Sequence, residues 1–596
     1  MNVATKLSGA KERPHVSRRR ILQGLAAAGV GSVVFRRALA AMADEGRQVT
    51  PEMIKDAEWI AGMEYTDEDR KLMLEGVNEV LTGYKKIRDV PLDNGVPPAL
   101  HFSSEPLAPP HPHVRRKPIA MSPSTASKKP QSEEDLAFAP ITELAALIKA
   151  RQVSSVDLTK MYLARLKMYD PLLHCVITLT EEAALKQAEG ADREIAAGQY
   201  RGPLHGIPWG VKDLFAYPGY RTTWGATPFQ DQVRDEKATV ISRLEDAGAV
   251  LIAKLSVGAL AWGDVWFDAT TKNPWNVDQG SSGSSAGPAA ATAAGLTGFT
   301  IGTETLGSIV SPCTRCGATG LRPTFGRVSR FGCMALTWSM DKVGPIARSV
   351  EDCALVFATI HGRDGLDAAA VDRPFVWPPR QDVRSLRVGF IESLFDERRL
   401  QDIEDAETRD RVAQMLSFDR RVLDVLRRIG VNLVPIELPD KYPIGPLLLI
   451  LTAEAATAFD ELTRSGRDDE LVRQVVNAWP NEFRQGQLIP AVEYLRANRI
   501  RTLVMGEMNR LMENVDVYVS PTFGGSNLAL TNLTGHPCVV LPHGFRAEGG
   551  TPTSITFTGR LHGDDTLLAV AHAFQGATDF HLQRPPLEKP DVSTGQ

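Results

Sequence analysis

Two glycine- and serine-rich segments carry the residue types that do chemistry. The first runs Gln279-Gly280-Ser281-Ser282-Gly283-Ser284-Ser285-Ala286-Gly287-Pro288, the second Ile301-Gly302-Thr303-Glu304-Thr305-Leu306-Gly307-Ser308-Ile309. Serine supplies hydroxyls, and glycine permits positive φ and close approach of backbone to a ligand. Tight turns of this kind can aim successive N–H groups at one point, where an oxyanion is held. Upstream, Gly206-Ile207-Pro208-Trp209-Gly210-Val211-Lys212-Asp213-Leu214 sets one lysine in an apolar run framed by glycine and proline. An ammonium there loses hydration and its pKa falls, which suits it to act as a base. Taken singly these residues are ordinary, because most lysines are solvated and most loop serines cap backbone groups. The weight lies on the three together, within their flanks.

Elements must hold such segments in place. Val250 to Ala253, Leu386 to Ile391, Val431 to Ile436, Val515 to Val519 and Cys538 to Leu541 read as strands. They alternate with helical stretches such as Val412 to Arg428, which Gly430 ends, and this alternation predicts an α/β fold around a mostly buried sheet. Ile141 to Ala150 and Val156 to Tyr169 have helical spacing, with Ser154 or Ser155 available as a cap. Near residues 50 to 89, Thr66 followed by acids, then Met73, Val77, Val80, Leu81 and Tyr84, predicts a small helical element read as a packing appendage. Pro91 to Pro130 turns to proline, serine and basic residues, an extended strap and the clearest boundary. The region 440 to 515 offers no legible motif.

The chain has 596 residues and a net charge of −5, Lys+Arg 67 against Asp+Glu 72, so no positive excess exists to meet a phosphate backbone. Six cysteines are few for this length, and Cys313-x-x-Cys316 lacks the second ligand pair of a structural zinc site, so no metal is expected. Lys6, Lys11, Arg13, Arg18, Arg19 and Arg20 lead into an apolar stretch from Ile21 to Phe35. Ser17-Arg18-Arg19-Arg20-Ile21-Leu22 resembles a twin-arginine export signal, with Ala38-Leu39-Ala40 or Ala41-Met42-Ala43 suited to cleavage. The expected location is periplasmic or otherwise exported, with no stable membrane insertion once the signal is removed.

The flanks of the serine segments resemble the amidase signature family. The resemblance is carried by Asn273-Pro274-Trp275-Asn276-Val277-Asp278, Ala293-Ala294-Gly295-Leu296 and Gly320-Leu321-Arg322-Pro323-Thr324-Phe325-Gly326-Arg327-Val328-Ser329. It continues in Asp341-Lys342-Val343-Gly344-Pro345-Ile346-Ala347-Arg348 and Asn532-Leu533-Thr534-Gly535-His536-Pro537. It implies one large α/β domain over 137–583, with a central, mostly mixed, twisted sheet covered by helices on both faces. Before it stand a signal at 1–43, a helical extension at 44–90 and a proline-rich linker at 91–136; a tail at 584–596 follows. It implies a Ser–Ser–Lys triad in which Lys212 is the base, Ser284 the bridging serine held by a cis peptide bond and Ser308 the nucleophile. Backbone N–H groups around Thr305, Leu306, Gly307 and Ser308 would form the oxyanion hole, and Ser285 and Asp213 would support Ser284 and Lys212. Three positions depart from the family pattern: Leu306 for a usual glycine, Val310 for a polar or basic residue, and Pro288 in a run of small ones.

The expected protein is an exported amidase that needs no cofactor, takes a small-molecule amide and no nucleic acid, and leaves a homodimer open. Esters are an expected side substrate, since their leaving group is easier. Two alternatives share the signature: a tRNA-dependent amidotransferase of the A-subunit type, and a non-catalytic relative that binds an amide or peptide. A third reads Gly283-Ser284-Ser285-Ala286-Gly287 as the G-x-S-x-G elbow of an α/β-hydrolase with Ser285 as nucleophile, but Trp275 to Gln279 is too polar for the buried strand an elbow needs.

Overall fold

The structure, a computed structural model, describes residues 48–93, 96–100, 120–122, 130–379, 381–401 and 403–588. The signal expected at 1–43 lies outside the described residues. The chain falls into two compact units that divide between Thr82 and Gly83.

In the first unit, helix α1 (Pro51–Ala61) starts from the Thr50 hydroxyl and ends at Gly62, whose φ is 66°. Helix α2 (Asp67–Arg88), whose residues to Thr82 belong to this unit, starts at Thr66, whose hydroxyl accepts from the Asp69 N–H at 3.1 Å. A buried Arg70–Glu58 pair at 2.7 Å joins the two helices.

The second unit is built on eleven strands: β1 (Val176–Leu179), β2 (Pro208–Lys212), β3 (Val250–Leu255), β6 (Phe299–Glu304), β7 (Thr319–Arg322), β8 (Lys342–Ala347), β9 (Arg387–Ile391), β10 (Asn432–Ile436), β11 (Val517–Pro521), β12 (Cys538–Phe545) and β13 (Pro552–Gly559). Their order is β1-β3-β2-β6-β8-β7-β12-β13-β11-β9-β10, while β4 (Lys272–Asn273) and β5 (Asn276–Gly280) form a separate pair. The large sheet is mixed: β2 runs parallel to β3 and β6, β9 to β10 and β11, and the centre from β6 through β8, β7, β12 and β13 is antiparallel. All residues of β2, β3, β6, β7 and β8 are buried, as expected of strands covered on both faces.

The covering helices are α3 (Ile141–Lys149), α4 (Ser155–Leu173), α5 (Glu181–Ala196), α6 (Ala286–Ala293), α7 (Val310–Cys316), α8 (Val350–Ile360), α9 (Ala406–Arg428), α10 (Leu449–Ala458), α11 (Trp479–Gly486), α12 (Ala491–Asn514), α13 (Asn527–Thr534) and α14 (Asp564–Gly576). Ser154, not Ser155, caps α4, accepting from the Asp157 N–H at 2.9 Å. The Ser155 hydroxyl turns inward to the Gly206 carbonyl.

Of the expected linker at 91–136, residues 91–93, 96–100, 120–122 and 130–136 are described. Ala99 N–H donates to Asn498 O on α12 at 3.0 Å, and Arg499 reaches the Val96 carbonyl at 2.8 Å. A short helix, Glu133–Ala137, stands at its end.

Candidate active site

Lys212 is the last residue of β2, so a strand buried on both faces delivers its side chain into the interior with no exposed surface. Its Nζ lies 2.7 Å from Ser284 Oγ and 2.8 Å from Thr303 Oγ1. Burial pushes the amine down from the ordinary lysine range to about 7. The carboxylates of Asp341 and Glu304 oppose that shift only in part. The Cys333 thiol, which burial pushes upward, is uncharged at neutral pH. A lysine held by two hydroxyls, with no carboxylate bonded to it among the described residues, is poised to lose its proton.

Ser284 stands just before α6 and follows a cis Gly283–Ser284 peptide bond. All eight residues of α6 are buried and small, which lets the helix pack closely on the sheet. Pro288, the departure noted in the sequence, sits in the first turn, where its missing N–H has no intrahelical partner to lose.

Ser308 lies in the loop between β6 and α7 and is 9% exposed. Its carbonyl accepts from the Ser285 N–H at 3.1 Å, which ties the Ser308 backbone to the residue beside Ser284. Gly307 has φ of 88°, a conformation that favours glycine. The N–H groups of Leu306, Gly307 and Ser308 meet no acceptor among the described residues. Donors left open in this way are what an oxyanion hole requires.

The two expected supports behave differently. The Ser285 hydroxyl donates to the Thr303 carbonyl at 3.1 Å and accepts from the Thr303 N–H at 3.2 Å, so it fixes the residue that holds Lys212. The same bonds, with complete burial, leave it no role as an elbow nucleophile. Gly302 makes room for this clamp, since a Cβ there would stand 2.7 Å from Ser285 Oγ. Asp213 corrects the sequence reading. Its carboxylate turns from Lys212 to Lys254 on β3 at 2.6 Å, and accepts from Thr223 N–H at 2.8 Å and from the Thr223 hydroxyl.

A buried network that sequence reasoning missed shapes the loop that carries Ser308. Glu304 Oε2 accepts from the N–H groups of Ile309 and Val310 at 2.9 Å each, capping the start of α7. Its Oε1 meets Arg322 on β7 at 2.6 Å and Asn532 on α13 at 3.0 Å. Burial alone would raise this carboxyl's pKa, but Arg322 and Lys342 overturn that and bring it to about 2. The loop is thereby closed back on its own strand. Thr305 is tied separately, its hydroxyl donating to Asp341 Oδ1 at 2.6 Å. Arg322, Asp341 and Asn532 lie inside the sequence blocks that carry the family resemblance and Glu304 inside the second glycine- and serine-rich segment, which was the available signal. Val310 is buried among Ile309, Cys313, Ile346 and Val540, an apolar setting that suits valine. Leu306 is half-buried.

A cavity of about 920 Å³ adjoins the site and is lined by both Thr303 and Thr305. Among the described residues no cluster of three or more His, Cys, Asp or Glu side chains could hold a metal, and no helix is long and apolar enough to cross a membrane. All six cysteines are free thiols, and Cys313 and Cys316 are buried on α7.

Comparison with known proteins places this geometry. The sequence model of the Amidase family matches residues 157–530. The A subunit of glutamyl-tRNA(Gln) amidotransferase from Roseiflexus sp. is 35% identical over 480 residues, 73% of this chain and 96% of that protein. The protein of the same name from Geobacter metallireducens is 34% identical over 489 residues, 74% of this chain and 98% of its own length. Among solved structures, the native peptide amidase of Stenotrophomonas maltophilia is 28% identical, with a TM-score of 0.66 over 75% of this chain and 98% of that one. A bacterial aryl acylamidase of the amidase signature family, 22% identical with a TM-score of 0.64 over 75% of this chain and 99% of its own, shares the fold. The chain belongs to the amidase signature family.

Proposed function

We propose that this chain is an exported hydrolase of carboxylic amides that works through an acyl-enzyme on Ser308. The observation that carries the reading is the 2.7 Å contact between Lys212 Nζ and Ser284 Oγ, made by a buried amine with no bonded carboxylate. Neutral Lys212 takes the proton of Ser284 while Ser284 takes that of Ser308, and Ser308 Oγ bonds to the amide carbon. The carbonyl oxygen gains charge opposite the N–H groups of residues 306–308, each donor contributing on the order of 3 kcal/mol in comparable sites. The C–N bond then breaks as the relay returns a proton to the departing nitrogen. Water, deprotonated along the same path, hydrolyses the ester and frees the acid. A serine-reactive phosphonate followed by peptide mapping tests this. Label on Ser308 is expected; label on Ser285, or none, contradicts it.

A second reading, the A subunit of an amidotransferase, is favoured by the names of the relatives at 34–35% identity. Release of ammonia from a free amide by the purified chain alone supports the hydrolase. Activity that depends on added partner proteins supports the amidotransferase. Export is proposed from the Ser17-Arg18-Arg19 segment. Cell fractionation checks it, with an Arg18→Lys, Arg19→Lys variant expected to remain in the cytoplasm.

A further inference from the structure

The cavity reaches the triad at Thr303, which holds Lys212, and its walls are apolar, acidic and basic, the basic side chains being Arg330, Lys342 and Arg363. Phe331, Met334, Leu336, Trp338 and Leu366 form apolar surface, with Met334 and Leu336 buried and Trp338 and Leu366 exposed at 50% and 45%, which places them at the mouth. Three carboxylates also line it, but each is already engaged by the protein. Asp341 accepts from the Thr305 hydroxyl and from the N–H groups of Leu336 and Thr337 at 2.8 and 3.0 Å. Asp367 is held by Arg330 through Nε and Nη2, both at 2.9 Å, and Arg330 spends a further donor on the Trp338 carbonyl. Glu454 on α10 accepts from Ser339 N–H at 3.0 Å, from the Ser339 hydroxyl and from Tyr494 OH at 3.0 Å.

A cationic substituent entering this space would lose hydration, find all three carboxylates occupied and meet the like charges of Arg330 and Arg363, which is costly. An apolar substituent would lose nothing and would remove its own surface from water. The volume of about 920 Å³ is near the upper end of small-molecule sites and far exceeds what a small primary amide fills.

We infer that the cavity is a specificity pocket that selects amides carrying a bulky, uncharged, apolar or aromatic substituent, and disfavours amides of amino-acid size that carry an ammonium group. This rests on the amidase reading above for the identity of the bound group. Its test separates the two by measuring binding apart from turnover. Calorimetry on the Ser308→Ala protein would compare acetamide, 3-phenylpropanamide and L-glutamine. The aryl amide is expected to bind at least about 30-fold more tightly than acetamide, the return on burying a phenyl group, and glutamine no more tightly than acetamide. Trp338→Ala should cut the aryl preference several-fold and Trp338→Phe should keep most of it, a rescue that general loss of fold would not give. Glutamine binding more tightly than the aryl amide, equal binding of all three, or no binding of the aryl amide at millimolar concentration overturns the pocket. Wild-type protein that keeps the preference but releases no ammonia overturns the amidase reading and leaves the pocket standing.

Discussion

Lys212 and Lys254 stand near the ends of neighbouring parallel strands, β2 and β3, both fully buried, and they meet opposite fates. Burial lowers both amines. At Lys254 the Asp213 carboxylate, 2.6 Å away, opposes that shift and favours the charged form. At Lys212 the bonded partners are hydroxyls alone, and the amine settles at about 7. Desolvation is common to both, and what differs is the partner, a carboxylate at Lys254 and hydroxyls at Lys212. Glu304 makes the same point with the sign reversed: burial is overcome by Arg322 and the carboxylate persists.

The largest expected effect breaks the comparison at its active member. Lys212→Met should lower kcat/KM by about 10⁴-fold, as should Ser308→Ala, because members of one relay fail together. Steady-state assays on a purified amide check this, with thermal melts confirming the fold.

Next come the structural ion pairs. Lys254→Met leaves Asp213 buried without its cation, and Arg322→Met does the same to Glu304; each should cost about 3–5 kcal/mol in urea unfolding. The double variant Lys254→Met, Asp213→Leu should recover much of that loss if the pair is structural. The Arg322 variant should also depress kcat, because Glu304 closes the nucleophile loop.

The smallest effect sharpens the comparison. Thr303→Val removes one acceptor of the Lys212 proton, an interaction that favours the charged amine. It should lower kcat by about tenfold or less and move the acid midpoint of activity to lower pH, read from a pH–rate profile.

Much of this site was legible because its residues lie in short contiguous blocks. Lys212, Ser284 and Ser308 were singled out together because their flanks resemble the amidase signature family, and Lys212 and Ser284 stand 2.7 Å apart. The strands at 250, 387, 432, 517 and 538 were visible in β-branched runs. What escaped depends on contacts remote in sequence. Asp213 follows Lys212 directly, yet successive residues at a strand end diverge, and its carboxylate went to the neighbouring strand. The Glu304–Arg322–Asn532 network joins positions up to 228 residues apart, which no local pattern reports. The unread stretch after residue 440 became α10, α11 and α12, which supply Glu454 and Tyr494 to the cavity wall.

The central claim is that Lys212 works as a neutral amine at physiological pH. The most direct measurement is the second-order rate of phosphonate labelling at Ser308, followed from about pH 5 to pH 9 in the native protein and in Lys212→Met. Because protonated Lys212 cannot accept the Ser284 proton, the native rate should fall in acid through one ionisation near 7, and labelling of the variant should be nearly abolished. A native rate flat across that range, or a variant that labels as fast as the native protein, would contradict the account.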